Sequence, residues 1–204
     1  VTEQPVGDHL RIVRADAGRW DDVTTVFGTR GDPSWCWCQY FLTTGRGYEK
    51  SAQHNREALR REVASDDPER SVGLIAYLDD DPVGWVQLGP RGRFPRVTGS
   101  RGQQAVLADA GLDAEGAWRV TCFVVRVGHR RQGVATALLD AAVEHARADG
   151  ARVVEGHAVD DAARASRRAG GSELYPGVLS MFLAAGFHEV GRTSATRAVV
   201  ARTV

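Results

Sequence analysis

The sequence predicts an α/β fold of the α+β kind, with strands and helices interspersed along one chain. Three observations predict it. An apolar strand at residues 117–126 runs through a short connection into an amphipathic helix at 134–148, and on into a strand at 151–159. Apolar stretches at 71–78 and 83–88 flank Asp79-Asp80-Asp81-Pro82, which reads as a hairpin turn. Two further strands, at 187–193 and 198–204, close the sequence.

The elements follow in order. Residues 9–15 alternate apolar and polar positions and predict a first strand. Trp20 to Phe27 predicts a short helix. Residues 28–46 read as a loop that carries an aromatic patch, Trp35, Trp37, Tyr40 and Phe41. Residues 49–64 predict a polar helix, with Ala58, Leu59 and Val63 at helical spacing. Residues 91–108 read as polar and irregular. In the helix at 134–148, Val134, Leu138, Leu139, Ala142, Val143 and Ala146 recur at helical intervals, and Asp149-Gly150 stops it. Residues 160–176, rich in Ala, Arg, Gly and Ser, read as a long mobile loop. A short helix at 178–185 ends at Gly186. No linker or repeat divides the chain, so residues 1–204 are expected to form a single domain.

Composition narrows the function. Lys+Arg and Asp+Glu both total 26, giving a formal charge of zero. That argues against a nucleic-acid partner, which normally selects a basic excess. The single Lys is Lys50, so the positive side chains are almost all Arg, a skew that base composition explains more readily than phosphate binding. No run of 18 apolar residues exists, so no membrane span is expected. The first residues lack a basic segment followed by an apolar one, so a cytoplasmic location is expected. The cysteines Cys36, Cys38 and Cys122 do not form a disulfide framework. Cys36-x-Cys38 has no second Cys/His pair, so no metal is expected. His9 and His54 read as surface histidines.

The connection between residues 126 and 134 carries the chemistry. Gly133 and Ala135 fall in the first turn of the helix, where small residues let a ligand approach the backbone. First-turn N–H groups lack partners within the helix and sit at the positive end of its dipole, which makes an anion site. Four Arg and no acid lie between Ala117 and Leu139. A pyrophosphate suits such a place. The Rossmann and P-loop glycine patterns are absent.

What the segment resembles is the signature of the GNAT superfamily, the acyl-CoA-dependent N-acyltransferases. The pattern Gln/Arg-x-x-Gly-x-Gly/Ala stands here as Arg130-Arg131-Gln132-Gly133-Val134-Ala135. Met181-Phe182-Leu183-Ala184-Ala185-Gly186-Phe187 resembles the family's late Tyr-x-x-x-Gly-Phe element. The resemblance covers residues 71–204 well and the first 70 by element order alone. It implies a GNAT-like mixed, mostly antiparallel sheet with a splayed central parallel pair, residues 117–126 and 151–159. It implies acetyl-CoA as co-substrate, with the pantetheine arm in the splay on backbone groups of Phe123, Val124 and Val125. The pyrophosphate is expected on N–H groups of Arg131, Gln132, Gly133, Val134 and Ala135, helped by Thr136 and Arg130. A main-chain N–H near Phe123 is expected to polarise the thioester carbonyl, a contribution of about 3 kcal/mol.

An amine acceptor then requires a base for its proton and an acid for the leaving thiolate. The family's usual Tyr acid is Phe182 here, so Ser180, Tyr175, water or no side chain at all remain for that task. For the base, Glu155 and His157 share one face of a strand, being two residues apart. Asp160 and Asp161 read as solvated loop acids. Direct transfer, rather than an acyl-Cys122 intermediate, is what the resemblance implies. The aromatic patch reads either as a wall of the acceptor pocket, holding an amine by cation–π contact, or as core. The long loop favours a small-molecule amine over a protein N-terminus or lysine. A non-catalytic acyl-CoA-binding module is the alternative from another class, and dimers are common in the family.

Overall fold

The computed structural model describes residues 10–44, 51–65, 67, 70, 72–112, 114–164 and 174–204. His9, Lys50, and most of the loop expected at 160–176 therefore lie outside the described residues. Seven strands form one sheet: β1 (Leu10–Arg14), β2 (Val72–Leu78), β3 (Asp81–Pro90), β4 (Ala117–Val125), β5 (Val153–Val159), β6 (His188–Ser194) and β7 (Arg197–Thr203). Their order is β1-β2-β3-β4-β5-β7-β6. Every neighbouring pair is antiparallel except β4 and β5, which run parallel. The mixed, mostly antiparallel sheet with one central parallel pair is as expected.

The helices are α1 (Trp20–Phe27), α2 (Pro33–Cys36), α3 (Ala52–Ala64), α4 (Pro95–Thr98), α5 (Arg101–Asp109), α6 (Val134–Ala148), α7 (Asp161–Arg164) and α8 (Leu179–Ala184). The periodic apolar positions of α6 all reach the core, and Leu138, Leu139, Ala142 and Ala146 are fully buried. Each leucine so buried contributes about 1.5–3 kcal/mol. Gly84 of β3 lets this helix come close, since a Cβ there would stand 2.7 Å from Val134. Helices α6 and α8 cover one face of the sheet. On the other, α1 and α3 bury Trp20, Val23, Phe27 and Leu59 against Ile75, Trp85, Cys122 and Val124. No helix among the described residues is long and apolar enough to cross a membrane.

Three stretches differ from expectation. Residues 91–108 are not irregular: they form α4 and α5, the latter capped by Ser100, whose hydroxyl accepts from the Gln103 N–H. Their apolar content is low because α5 buries only Leu107 and Gln103, so the sequence offers little periodicity to read. The loop at 28–46 contains α2, started by Pro33 at its first turn, where the missing N–H costs nothing. At the other end of the sheet, β5 gives way to α7 rather than directly to a loop.

Candidate active site

The parallel pairing of β4 and β5 is short. It holds at Ala117–Val153, Trp118–Val154 and Arg119–Glu155, and then the strands part. Phe182 helps to explain why. Its ring is fully buried against Gly156 of β5 and Gly177, where an added Cβ would come within 2.7 and 2.8 Å of it. Phe123 of β4 meets it edge-on, with ring centroids 6.2 Å apart. The chain itself closes part of the gap. The Phe123 N–H donates to the Tyr175 carbonyl at 2.6 Å, and the Val159 N–H donates to the Gly177 carbonyl at 2.9 Å. So the amide expected to polarise a thioester carbonyl is held by Tyr175. Strand alternation aims the Val125 amide to the same side, and Arg130 donates to the Val125 carbonyl at 3.1 Å.

Beyond the end of β4 the chain turns through left-handed residues, Gly128 (φ 98°), Arg131 (φ 60°) and Gly133 (φ 83°). Gly133 is the residue before α6 rather than part of its first turn. A Cβ placed on it would meet nothing within 4 Å. Gly133 is among the residues that line a cavity of about 620 Å³, with Phe123, Val125, Arg130, Arg131, Val134, Ala135 and Thr136. Unpaired amides at a helix start and a turn of left-handed residues make a concave anion cradle. These residues fit a pyrophosphate. The side chains of Val124 and Gln132 do not line the cavity: Val124 packs beneath α1, and Gln132 donates to the Gly128 carbonyl at 2.8 Å.

The four arginines of this stretch divide. Arg119 is buried against Glu155. Arg126 pairs with Asp81. Only Arg130 and Arg131 line the cavity. The local positive charge is therefore half of what the linear count suggests.

A second cavity, of about 720 Å³, lies beside the first. Tyr175 and Asp32 line both, which marks where the two meet. Cys36, Cys38, Tyr40, Arg96, Gln103, Cys122, His157 and Arg197 line the second alone. Burial, and next the Asp32 charge, push the Tyr175 phenol up to about 12, so it carries its proton at neutral pH. Burial likewise pushes the Cys36 thiol up to about 12 and the Cys38 thiol well up, so neither is a thiolate. No group of three His, Cys, Asp or Glu among the described residues is arranged to hold a metal ion.

Of the three expected catalytic side chains, His157 alone lines this cavity. Its Nε2 lies 2.7 Å from Thr193 Oγ1. Burial, then the charges of Arg119 and Arg197, push it down to about 4, so it is neutral at pH 7 and a weak base. Glu155 is fully buried and lines neither cavity. Its oxygens accept from Arg91 at 2.8 Å and Arg119 at 3.3 Å. Burial pushes its carboxyl up while the two guanidiniums favour the ionised form. Ser180 also stands outside: its hydroxyl donates to Asp161 at 2.8 Å. Asp160 pairs with Arg192.

The aromatic patch divides as well. Trp37 is core, stacked on Phe27 at 4.9 Å, whereas Trp35 is 50% exposed. Tyr40 and Phe41 line the second cavity, and the Arg96 guanidinium lies over the Tyr40 ring at 4.1 Å. Asp32, Arg96, Gln103 and Arg197 were not singled out from sequence. Each comes from a separate segment, and no local pattern marks them.

The depressed His157 has a consequence for stability. The unfolded chain takes up a proton at His157 from about pH 6.5 downward, but the folded chain does so only near pH 4. Stability from the neutral ring is thus present above pH 6.5 and is lost as pH falls towards 4, by at most about 3 kcal/mol. Urea unfolding at pH 7.5 and 4.5 should show a smaller acid loss in His157→Gln than in the wild type. Equal losses would place the titrating group elsewhere.

Comparison with known proteins agrees with this geometry. No curated protein sequence matches the chain. Solved structures share its fold. The GNAT domain of S. lividans PAT has a TM-score of 0.57 at 17% identity, over 96% of this chain and 90% of that one. A GCN5-related N-acetyltransferase from Kribbella flavida also has 0.57, at 14% identity over 97% and 99%. The PaiA N-acetyltransferase from Thermoplasma acidophilum, solved in complex with coenzyme A, has 0.54 at 11% identity over 96% and 99%. The model of the acetyltransferase (GNAT) family matches residues 34–169. That span holds the parting strands and the anion cradle before α6, and with it the chain belongs to the acetyltransferase (GNAT) family, enzymes of acyl-CoA-dependent acetyl transfer.

Proposed function

We propose that the chain transfers an acetyl group from acetyl-CoA to a primary amine of a small molecule, by direct attack on the thioester. The observation that supports this reading most is the junction of two cavities at Tyr175 and Asp32, one with an anion cradle and one without. Bound acetyl-CoA supplies the activated acyl group. The backbone of residues 131–135, with Thr136 and Arg130, holds its pyrophosphate. Gap-side backbone groups of Phe123 and Val125 align the arm, while those of Val124 face β3. An N–H there stabilises the negative charge that develops on the carbonyl oxygen.

The proton steps centre on the junction. The Tyr175 phenol, protonated at neutral pH, gives its proton to the departing thiolate. The Asp32 carboxylate, exposed and at the same place, holds the incoming ammonium, and water carries its proton away before attack. Glu155 and Ser180, engaged elsewhere, act in neither step. His157, as a neutral imidazole, lines the acceptor side. Purified protein titrated with acetyl-CoA and then offered a panel of amines tests the reading by thiol release. Binding without release from any amine would favour a non-catalytic acyl-CoA module instead. Tyr175→Phe should lower kcat by about 100-fold with the acetyl-CoA Kd within twofold of wild type. An unchanged kcat would remove Tyr175 as the acid.

A further inference from the structure

The second cavity contains a hydrogen-bond donor whose direction is fixed from behind. Gln103 stands in the first turn of α5, where the Ser100 hydroxyl caps the helix by accepting from its N–H. The helix is closely seated on the sheet. Gly191 of β6 lets it approach, since a Cβ there would come within 2.6 Å of Val106, and a Cβ on Gly102 would meet Thr193. Thr193 in turn bonds Nε2 of His157, which lines the same cavity. A side chain carried on such a helix is held more precisely than one on a loop.

The Gln103 carboxamide has one orientation open to it. Its Oε1 accepts from a guanidinium N–H of Arg119. A guanidinium has donors only, so the amide oxygen faces it and the amide nitrogen faces away. Arg119 is 1% exposed and is itself bonded to Glu155, which fixes the direction of its fork. Gln103 is buried yet lines the second cavity, so Nε2 is the part left to face that space. Among the described residues no acceptor meets this nitrogen, and it is not sealed from the surface as Gln87 Nε2 is. A glutamate here would bind Arg119 with a full charge but would present only lone pairs to the cavity. The amide forgoes that stronger bond and presents N–H groups instead.

We infer that Gln103 selects the acceptor, its Nε2 donating to an oxygen lone pair carried by the bound amine while Arg119 holds the carboxamide in that orientation. This rests on the acetyl-transfer reading above and adds to it a residue that determines specificity. An amine that fills the cavity strips water from Nε2, and one without an oxygen at that place leaves the donor unpaired. A site of this kind discriminates against the analogue that lacks the hydrogen-bonding group far more than a purely apolar wall does.

The test measures thiol release from acetyl-CoA with primary amines that carry an ether or ester-carbonyl oxygen at graded distances from the nitrogen. Each stands beside the analogue in which CH2 replaces that oxygen or that carbonyl. Such oxygens accept and cannot donate, so they probe a donor alone. At least one oxygen-bearing amine should exceed its analogue by about tenfold or more in kcat/KM, chiefly through KM. In Gln103→Glu and in Gln103→Met that ratio should fall to near one. Gln103→Glu keeps an oxygen for Arg119, so its Tm should not fall below that of the wild type, which separates the lost donor from a lost support. Retained acetyl-CoA binding shows that each variant is folded. Carbon analogues acetylated as well as every oxygen-bearing amine would overturn the inference and leave acetyl transfer standing. So would a ratio unchanged in both variants. No release from any amine, with acetyl-CoA bound, would remove both.

Discussion

Gly133→Glu is expected to abolish acetyl-CoA binding, with an affinity loss on the order of a thousandfold in calorimetric titration. Two effects add. Gly133 has φ 83°, a conformation that costs other L-residues about 1–2 kcal/mol. The new side chain would also grow into open space, because nothing lies within 4 Å of its Cβ position. Gly133 lines the cavity proposed to hold the pyrophosphate, so a carboxylate there would oppose a like charge. Gly133→Ala separates the two effects: it carries the strain without the charge and should lose far less affinity. Because the site is open, the glutamate variant should keep the wild-type circular dichroism. Normal acetyl-CoA binding by Gly133→Glu would move the pyrophosphate away from the start of α6.

Glu155→Gln is expected to destabilise the fold by about 3–5 kcal/mol, as is usual when a buried charge loses its partner. For a chain of this size that is a fall of roughly 10 °C in Tm. The reason lies in the count of charges. Arg91 and Arg119 are 4% and 1% exposed, and Glu155 is the carboxylate both are bonded to. Burial already pushes Arg119 down to about 10, so it is still charged at neutral pH. An amide in place of the carboxylate leaves two buried cations facing each other. Replacing Arg119 by Met in the same chain should recover part of the loss. Thermal unfolding of the single and double variants checks this, and an unchanged Tm in Glu155→Gln would mean that the trio is not a structural unit.

The buried trio also shows where reading a sequence stops. Helices α1 and α6 were legible residue for residue, since apolar periodicity is written locally in Trp20–Phe27 and Val134–Ala148. The strand end, turn and helix start around Gly133 were legible for the same reason, since they stand in succession. Helix α5 was not, because polar Gln103 takes one of its few buried positions. Glu155 and His157 do share a face, as their spacing required, but what that face meets is decided by distant residues. Arg91 and Arg119 claim the first, while Thr193 and Arg197 flank the second. The second cavity draws on Asp32, Tyr40, Arg96, Gln103, Cys122, His157, Tyr175 and Arg197, which no periodicity connects. Only tertiary structure brings them together.

The hydrogen bond from the Phe123 amide to the Tyr175 carbonyl gives the two cavities a shared thermodynamic account. A ligand arm that takes this amide must displace Tyr175, so its measured Kd is its intrinsic value divided by the fraction of molecules already open. Tyr175 also lines the second cavity, so whatever shifts that fraction from one side shifts it for the other by the same factor. Occupancy of one cavity and affinity in the other are then linked quantities, and a cooperativity factor measured with an unreactive acyl-CoA would read out the population of the closed gap.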